Sequence, residues 1–396
     1  MLIEELKYII QSAHINFLYG SGLSRPYLIT LGNIEEYLTK LEQDDTISDK
    51  VYLIVKATLY YAYSKGVIVP NGSLQRKDIN FQKTVKAYDD FFHIWNDLIN
   101  KRSSLLLEKQ VNLFTTNIDL LVEDTLSGTG LELNDGFRGT LNPVFNESNF
   151  QVSLSKSSLQ YHKSSEIPVF NLMKIHGSVN WEERDGLIHS CRYRCETIKD
   201  ILNQIPKSNF VSMIGTDTYG KNYEKSYEEL VKDANSHKLK DFEIYKEFFD
   251  EYNKILMINP TKAKFKTSVM DYHFYELMRI FSNALERENS VLFVMGFSFA
   301  DEHLAEITKR AASTNPTLQV IIFAYSDNDK ENFMQNLKIT GKGINNNIEI
   351  LTPYSFKEAN NKNDQYKVLC ENIDNFDLPT INKVFNCIAS EIHSSL

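Results

Sequence analysis

Short apolar runs recur along the chain, and most of them end at small or polar residues. They cover residues 15–19, 111–116, 169–175, 291–296, 318–325 and 348–351. Longer segments with helical character separate them. Near-continuous apolar strands separated by helices are what a parallel sheet buried on both faces requires. The pattern therefore predicts an α/β fold, a Rossmann-like doubly wound and mainly parallel sheet with helical insertions.

The segments between the apolar runs differ in character. Residues 34–107 have helical spacing and little strand alternation, which predicts a helical insertion. Residues 182–289 are mixed and polar, which predicts a second, mixed insertion. Residues 352–396 have the pattern of a closing helical segment. We therefore expect residues 1–396 to form a single domain.

Composition and charge narrow the function classes. The chain is 42% hydrophobic and 24% charged, as in ordinary soluble proteins. Its formal net charge of -9 disfavours direct nucleic-acid binding, since phosphate contacts need concentrated Lys and Arg. No apolar run approaches the ~20 residues of a membrane span, and the amphipathic, acidic amino end differs from a signal peptide. A cytoplasmic location without membrane contact is the expectation.

The cysteines do not have the spacing of a metal site. Cys191 and Cys195 form a CxxxC, whereas Cys370 and Cys387 lie far downstream. The paired CxxC spacing of structural zinc is absent, so we expect buried or idle thiols and no bound metal.

The first candidate site follows the first apolar run, in the stretch NFLYGSGLSRPYL. Gly20, Ser21 and Gly22 lie where a strand turns into a helix, and glycine there permits positive φ and close approach of N–H groups to a phosphate. Ser24 adds a hydroxyl that donates to a phosphate or caps the next helix. A tight turn without a ligand would use the same residues. Arg25 stands where a dinucleotide fingerprint has its third glycine.

Polar residues also follow the second apolar run. Thr116, Asn117 and Asp119 come where the ligand-facing loops of a doubly wound sheet lie. A helix amino-terminal cap is the alternative, because Thr, Asn and Asp are all common there.

A histidine follows the third apolar run. His176 precedes Gly177, so its imidazole is expected at the carboxyl end of the sheet beside a permissive turn. A histidine there can act as a base near neutral pH, and a purely structural role is the alternative.

The fourth run ends in another glycine turn. Gly296 and Ser298 lie in this turn, and Asp301 begins the following helix, where a carboxylate favours the helix dipole. Gly296, Ser298 and Ala300 also approximate the GxSxG elbow of serine hydrolases. His393 is the histidine that would complete that triad, and its position near the chain end makes a poor one.

The four segments together, in this order, resemble the NAD-binding fold of the sirtuins, or silent information regulators. The segments are GSGLS, TTNID, KIHGS and GFSFAD, which begin at residues 20, 115, 174 and 296. The resemblance implies that NAD is bound by Gly20, Ser21, Gly22, Ser24, Thr116, Gly296, Ser298 and Asp301. It further implies that Asp119 contacts the nicotinamide carboxamide, Asn117 orients the ribose and a water, and His176 acts as the base.

Departures from the sirtuin pattern refine the expectation. The two CxxC pairs of protein-deacylating sirtuins are absent, and Arg25, Pro26 and Tyr27 replace the GIPDFR run. Thr116 replaces the usual glutamine. The profile resembles bacterial sirtuin-like effectors that hydrolyse NAD in antiphage defence, most of all the group that works beside a HerA-type DNA-translocating ATPase.

This resemblance implies hydrolysis of NAD+ to ADP-ribose and nicotinamide by an abortive-infection effector. It also implies a homo-oligomer and a HerA-type partner. Two alternatives stay open: an NAD-dependent protein deacylase, and a non-catalytic scaffold that binds NAD or ADP-ribose.

Overall fold

A seven-stranded sheet forms the centre of the fold in a computed structural model of the chain. The strands are β1 (His14–Tyr19), β2 (Gln110–Thr115), β3 (Glu132–Asn134), β4 (Val169–Lys174), β5 (Ser290–Met295), β6 (Gln319–Phe323) and β7 (Ile348–Leu351). Their order in space is β7-β6-β5-β1-β2-β4-β3, and every pairing is parallel. The predicted doubly wound, mainly parallel α/β fold is confirmed.

The structure describes most of the chain. It leaves out residues 31–32, 73, 103–105, 162, 218, 238–242, 259–267, 342 and 395–396, and the side chains of residues 268–271 and 393–394.

Alternate residues of each strand face opposite sides of the sheet, as the pleat requires. On one side Phe17 and Phe293 stack at 5.3 Å between ring centroids. The long helices Ile79–Asn100 and Leu378–Ser394 cover this side, and Trp95 meets Phe17 edge-on at 4.8 Å. These side chains belong to one continuous hydrophobic cluster, so the two helices and the sheet share a core.

The other side of the sheet has its own hydrophobic cluster. Leu18 and Val294 point into it, and the helices Ser268–Glu286 and Glu302–Thr314 supply its outer layer. Because helices cover both faces, the strands are apolar in nearly every position, which explains the continuous apolar runs of the sequence.

A third hydrophobic cluster lies away from the sheet. It joins helices of the segment 34–68 to the segment 195–257, with Leu59 and Phe248 among its fully buried side chains. The segment 34–107 therefore packs in two places. Its first helices belong to this third cluster, whereas its last helix, Ile79–Asn100, covers the sheet. The division of the chain into a core domain and insertions stays a prediction.

The remaining helices and strands contribute side chains to these clusters or connect them. The helices are Ile3–Ser12, Ser21–Ser24, Ile34–Gln43, Asp49–Tyr63, Ser64–Ile68, Val69–Gly72, Leu121–Leu126, Glu147–Gln151, Arg194–Gln204, Lys207–Asn209, Tyr227–Ser236, Glu243–Tyr245, Lys246–Tyr252, Asp329–Asn336, Pro353–Asn360, Asp364–Tyr366 and Lys367–Glu371. Short antiparallel strands are Phe137–Arg138, Val144–Phe145, Ser155–Ser157, Ser164–Glu166, Trp181–Arg184, Leu187–Ser190, Ile214–Thr216 and Asn222–Glu224.

A row of asparagines crosses one half of the central sheet. Asn16, Asn112, Asn171 and Asn134 lie in register on β1, β2, β4 and β3. Each pair is joined by a side-chain hydrogen bond of 2.9–3.0 Å. An amide both donates and accepts, so a row of them satisfies its own polar groups inside the sheet. The row also favours this strand register, because a shift of one strand by one residue would separate the amides.

Candidate functional site

The four predicted segments begin at one level of the sheet because four strands end in register. Tyr19, the last residue of β1, pairs with Met295 of β5 on one side and with Thr115 of β2 on the other. Thr115 in turn pairs with Lys174, the last residue of β4. The residues that follow these four therefore leave the sheet at the same carboxyl edge, where ligands bind in open α/β sheets.

The glycine turns after β1 and β5 pack directly on each other. A Cβ at either Gly20 or Gly22 would come within 2.8 Å of the backbone of Gly296, and a Cβ at Gly296 would come within 2.8 Å of the Leu23 nitrogen. Gly296 has φ of 58°, whereas neither Gly20 nor Gly22 has positive φ. The first turn therefore does not use the positive φ that glycine permits, and close approach of two backbones explains those two glycines.

The N–H groups of the first turn are largely engaged within the protein. Gly20 donates to Met295 O at 3.3 Å, Gly22 to Gly296 O at 3.0 Å, and Leu23 to Gly20 O at 3.1 Å. Ser21 and Gly22 are exposed at the start of the short helix Ser21–Ser24. The diphosphate-binding role of this turn stays a prediction.

Ser24, Asn117 and Asp119 form one buried hydrogen-bonded group. The Ser24 hydroxyl donates to Asp119 Oδ2 at 2.6 Å and accepts from Asn117 Nδ2 at 3.0 Å. Asn117 Nδ2 also donates to Gly20 O at 3.1 Å. The loop after β2 is thereby tied to the turn after β1, as expected from the sheet edge that they share. The alternative role as helix caps accounts for one contact, in which Asp119 Oδ1 accepts from Leu121 N at 3.2 Å. The other hydrogen bonds of Asn117 and Asp119 join the two loops.

The orientation of the Asn117 side chain follows from its partners. Gly20 O can only accept, and Ser24 has already given its proton to Asp119, so both must face the amide nitrogen. Asn117 Oδ1 points the other way. This oxygen is buried and accepts no hydrogen bond from the residues that the structure describes, although the residue is only 6% exposed.

Lys174 links the two central loops and is a site residue that the sequence analysis did not select. Its side chain is buried, and its ammonium donates to the backbone oxygen of Asp119 and, at 2.9 Å, to Ser178 Oγ. It also forms an ion pair with Glu123 at 2.5 Å. Burial raises the pKa of Glu123, and the nearby Lys174 offsets only part of that effect. The sequence signal that could have identified Lys174 is its position at the end of an apolar strand, two residues before His176.

A second overlooked residue supports the same loop from the helical segment. Asn71 is buried, and its Oδ1 accepts a hydrogen bond of 2.8 Å from Leu120 N, next to Asp119. In the sequence Asn71 precedes Gly72, which is typical of an ordinary turn, so no local signal distinguished it.

The loop that carries His176 is held by close backbone contacts. Gly177 has φ of 75°, and a Cβ there would lie 2.2 Å from Leu256 O. Ser178 N donates to Leu256 O at 3.1 Å, and Val179 N donates to Ile118 O at 3.0 Å. The last bond connects the loop after β4 to the loop after β2, so His176 and Asn117 belong to one connected edge.

His176 contacts Asp301, which lies 125 residues further along the chain. The distance from His176 Nε2 to Asp301 Oδ2 is 3.0 Å. Asp301 Oδ1 accepts hydrogen bonds from His303 N and Leu304 N, and so caps the helix Glu302–Thr314. The prediction that Asp301 begins this helix is confirmed, and the contact with His176 was not foreseen.

The remaining predicted residues lie nearer the surface. Thr116 is half-buried and Ser298 is exposed. Ser298 O accepts a hydrogen bond of 2.8 Å from Asn336 Nδ2. The His393 side chain of the serine hydrolase alternative lies outside the described residues. A surface groove lined by Met1, Tyr8 and Asn347 opens at the opposite, amino-terminal edge of the sheet and includes none of the predicted site residues.

In the described part of the chain, no group of three or more His, Cys, Asp or Glu side chains is arranged to hold a metal ion. Cys191 and Cys195 are both buried, and burial raises the pKa of the Cys195 thiol to about 12. Among the described helices, none has the length and apolarity of a membrane span.

The fold and the polar carboxyl edge define a doubly wound α/β protein with a candidate ligand site. A model of the SIR2-like domain matches residues 252–345, which is less than half of the chain. This match includes Gly296, Ser298 and Asp301, whereas Asn117 and His176 lie outside it. It supports a sirtuin-like family and an activity related to NAD. No curated protein matches the chain.

Proposed function

We propose that this protein is an NAD+ glycohydrolase, which cleaves NAD+ to ADP-ribose and nicotinamide. The observation that carries the proposal is Asn117 Oδ1, a buried acceptor whose direction is set by the bonds of its own amide nitrogen. A buried acceptor without a partner is costly unless a ligand or water supplies a donor. A ribose hydroxyl and an attacking water are both suitable donors.

The reaction needs little acid catalysis, but it needs the water and the ribose to be positioned accurately. The bond between ribose C1′ and the nicotinamide nitrogen breaks, and its electron pair neutralises the charge of the pyridinium ring. A water oxygen forms the new bond to C1′, and the proton that it loses passes to a base. His176 is the proposed base, and a positioned base contributes typically 10²- to 10⁴-fold to rate.

The acidic group next to Asn117 suits the same reaction. Asp119 is buried and hydrogen-bonded to Ser24, so its carboxylate cannot easily move away. A fixed negative charge favours the positive charge that develops on the ribose as nicotinamide departs. In the sirtuin resemblance Asp119 instead contacts the nicotinamide carboxamide, and both roles require it at this edge.

The proposed biological setting follows from the sequence profile. The residues that the sirtuin resemblance assigns to NAD binding are present, and the paired CxxC spacing of the protein deacylases is absent from the sequence. We therefore propose an abortive-infection effector of antiphage defence that acts in the cytoplasm as a homo-oligomer, with a HerA-type ATPase as its partner. Since unregulated NAD hydrolysis would kill the host cell, we expect the activity to depend on assembly, on the partner or on a phage component.

The direct test is NAD+ turnover by the purified protein, with and without the product of the neighbouring gene. Release of ADP-ribose and nicotinamide in equal amounts is the expected result. Asn117→Ala and His176→Ala should each abolish it while the protein stays folded. Asn347→Ala is the matched control, because Asn347 also has a buried Oδ1 without a described partner but lies at the opposite edge of the sheet.

Other outcomes would support the alternatives. Nicotinamide release that requires an acetylated peptide would support a deacylase. Calorimetric binding of NAD+ without turnover, even with the partner present, would support a scaffold. Wild-type turnover in either active-site variant would contradict the site assignment.

A further inference from the structure

The geometry points to Asp301 as the positioning residue of His176, which selects the ring nitrogen that acts as the base. The expected effect on turnover rests on the proposed function, whereas the contact of Asp301 with His176 and the tautomer that it selects do not depend on that function. Asp301 lies in the turn after β5, where it was expected to take part in NAD binding. Its carboxylate oxygens contact the protein, one at a helix terminus and the other at His176, and its role in NAD binding stays a prediction.

The position of the Asp301 carboxylate is fixed by the helix that it caps. Oδ1 accepts from His303 N at 2.9 Å and from Leu304 N at 3.1 Å. The positive end of the helix dipole favours a negative charge at this place. Oδ2 therefore faces His176 in an orientation that the backbone of Glu302–Thr314 determines.

The contact determines which tautomer His176 adopts. An ionised carboxylate has no proton to give, so His176 Nε2 must carry the hydrogen of the 3.0 Å bond. The neutral ring then has its lone pair on Nδ1, which becomes the atom that accepts a proton. When Nδ1 takes that proton, the adjacent carboxylate stabilises the resulting imidazolium, as an aspartate does in hydrolase triads.

The surroundings limit other arrangements of the ring. The His176 side chain is 21% exposed and that of Asp301 is 15% exposed, so water competes only weakly for their contact. His176 O also accepts a hydrogen bond of 2.9 Å from Ile258 N, which holds the backbone. The Phe274 ring lies 6.5 Å from the imidazole, between centroids.

The Asp301→Asn variant separates the effect on His176 from the effect on the helix. Asn caps helices about as well as Asp, so the helix should be retained. The two backbone N–H groups require the amide oxygen, which turns the amide nitrogen toward His176. Nε2 must then accept, the hydrogen moves to Nδ1, and the base is lost.

Two measurements test this inference. In nitrogen-15 correlation spectra of histidine-labelled protein, His176 should be protonated at Nε2 in the wild type and at Nδ1 in Asp301→Asn, with the signal assigned from His176→Gln. In NAD+ turnover, kcat of Asp301→Asn should fall by about 10²- to 10⁴-fold, the range of a lost general base, with little change in KM.

The matched control is Asp78→Asn. Asp78 caps the helix Ile79–Asn100 through the same pair of backbone contacts, and it has no histidine partner among the described residues. It should leave both the spectrum of His176 and the turnover unchanged. Asp301→Ala should melt at a lower temperature than Asp301→Asn, since only alanine removes the cap.

The outcomes distinguish this inference from the proposed function. A wild-type His176 protonated at Nδ1, or an unchanged tautomer in Asp301→Asn, overturns the positioning role whatever the activity. A wild type with the expected tautomer but no NAD+ turnover under any condition overturns the proposed function and leaves the structural role of Asp301 in place.

Discussion

Lys174 donates a hydrogen bond from its buried ammonium group to the backbone oxygen of Asp119. Lys174 is the last residue of β4, which leads into the loop of His176, and Asp119 lies in the loop after β2, which also carries Asn117. The geometry of the site thus depends on a cation that touches a main-chain atom and is balanced by Glu123 at 2.5 Å.

Replacing Lys174 by methionine should both destabilise the protein and remove activity. Glu123 would be left largely buried without its cation, and removing one partner of a buried ion pair costs about 3–5 kcal/mol. We expect a loss near the lower limit because Glu123 retains some exposure. Urea unfolding measures the change in the free energy of unfolding. NAD+ turnover measures the activity that is lost when Asp119 is no longer held in place.

A double variant separates these two effects of Lys174. Lys174→Met with Glu123→Leu removes both charges, so stability should largely return while turnover stays low. Lys40→Met is the surface control, since the exposed pair of Lys40 with Glu36 should contribute little to the free energy of unfolding. Recovery of full turnover in the double variant would show that Lys174 does not position the Asp119 loop.

Gly177→Ala should destabilise the loop that carries His176. The new Cβ would lie 2.2 Å from Leu256 O, and alanine would have to adopt a φ of 75°. Backbone strain of that kind costs about 1–3 kcal/mol, and the clash with a main-chain oxygen adds to it. Gly130→Ala is the control, because Gly130 has φ of 74° but no atom of the described residues lies within 4 Å of its new Cβ. Equal melting temperatures for the two variants would argue against the tight contact.

Asn171→Leu should weaken the fold through the asparagine row. Asn171 is fully buried, accepts from Asn134 Nδ2 at 2.9 Å and donates to Asn112 Oδ1 at 3.0 Å. Leucine would leave those groups without partners, at about 1–3 kcal/mol for each buried group. Chemical unfolding should show the loss, whereas leucine at the exposed Asn142 should change stability by less than about 0.5 kcal/mol.

The thiols of Cys191 and Cys195 should be inert in the native protein. Burial raises the pKa of both, that of Cys195 to about 12. Because the thiolate is the reactive form, a raised pKa keeps its population small at pH 8 and moves the onset of reaction to more alkaline pH. Labelling with a thiol reagent should be slow at pH 8 and complete after denaturation. Rapid native labelling of either residue would contradict the buried environment.

The pattern of apolar residues was sufficient to predict the fold class. Six of the seven central strands coincide with predicted runs to within about two residues at each end, because strands buried on both faces must be apolar throughout. The seventh, Glu132–Asn134, was missed. It is a three-residue edge strand with no fully buried side chain, so it has no apolar run to detect.

The sequence by itself also determined which polar residues leave the sheet at its carboxyl edge, since parallel strands deliver their following residues to one side. Only the tertiary structure decided how those residues meet. The contact of His176 with Asp301, the support of the Asp119 loop by Lys174 and Asn71, and the packing of Gly20 and Gly22 on Gly296 join segments far apart in the chain. Such contacts depend on the order and register of the strands, which local hydrophobic spacing does not encode.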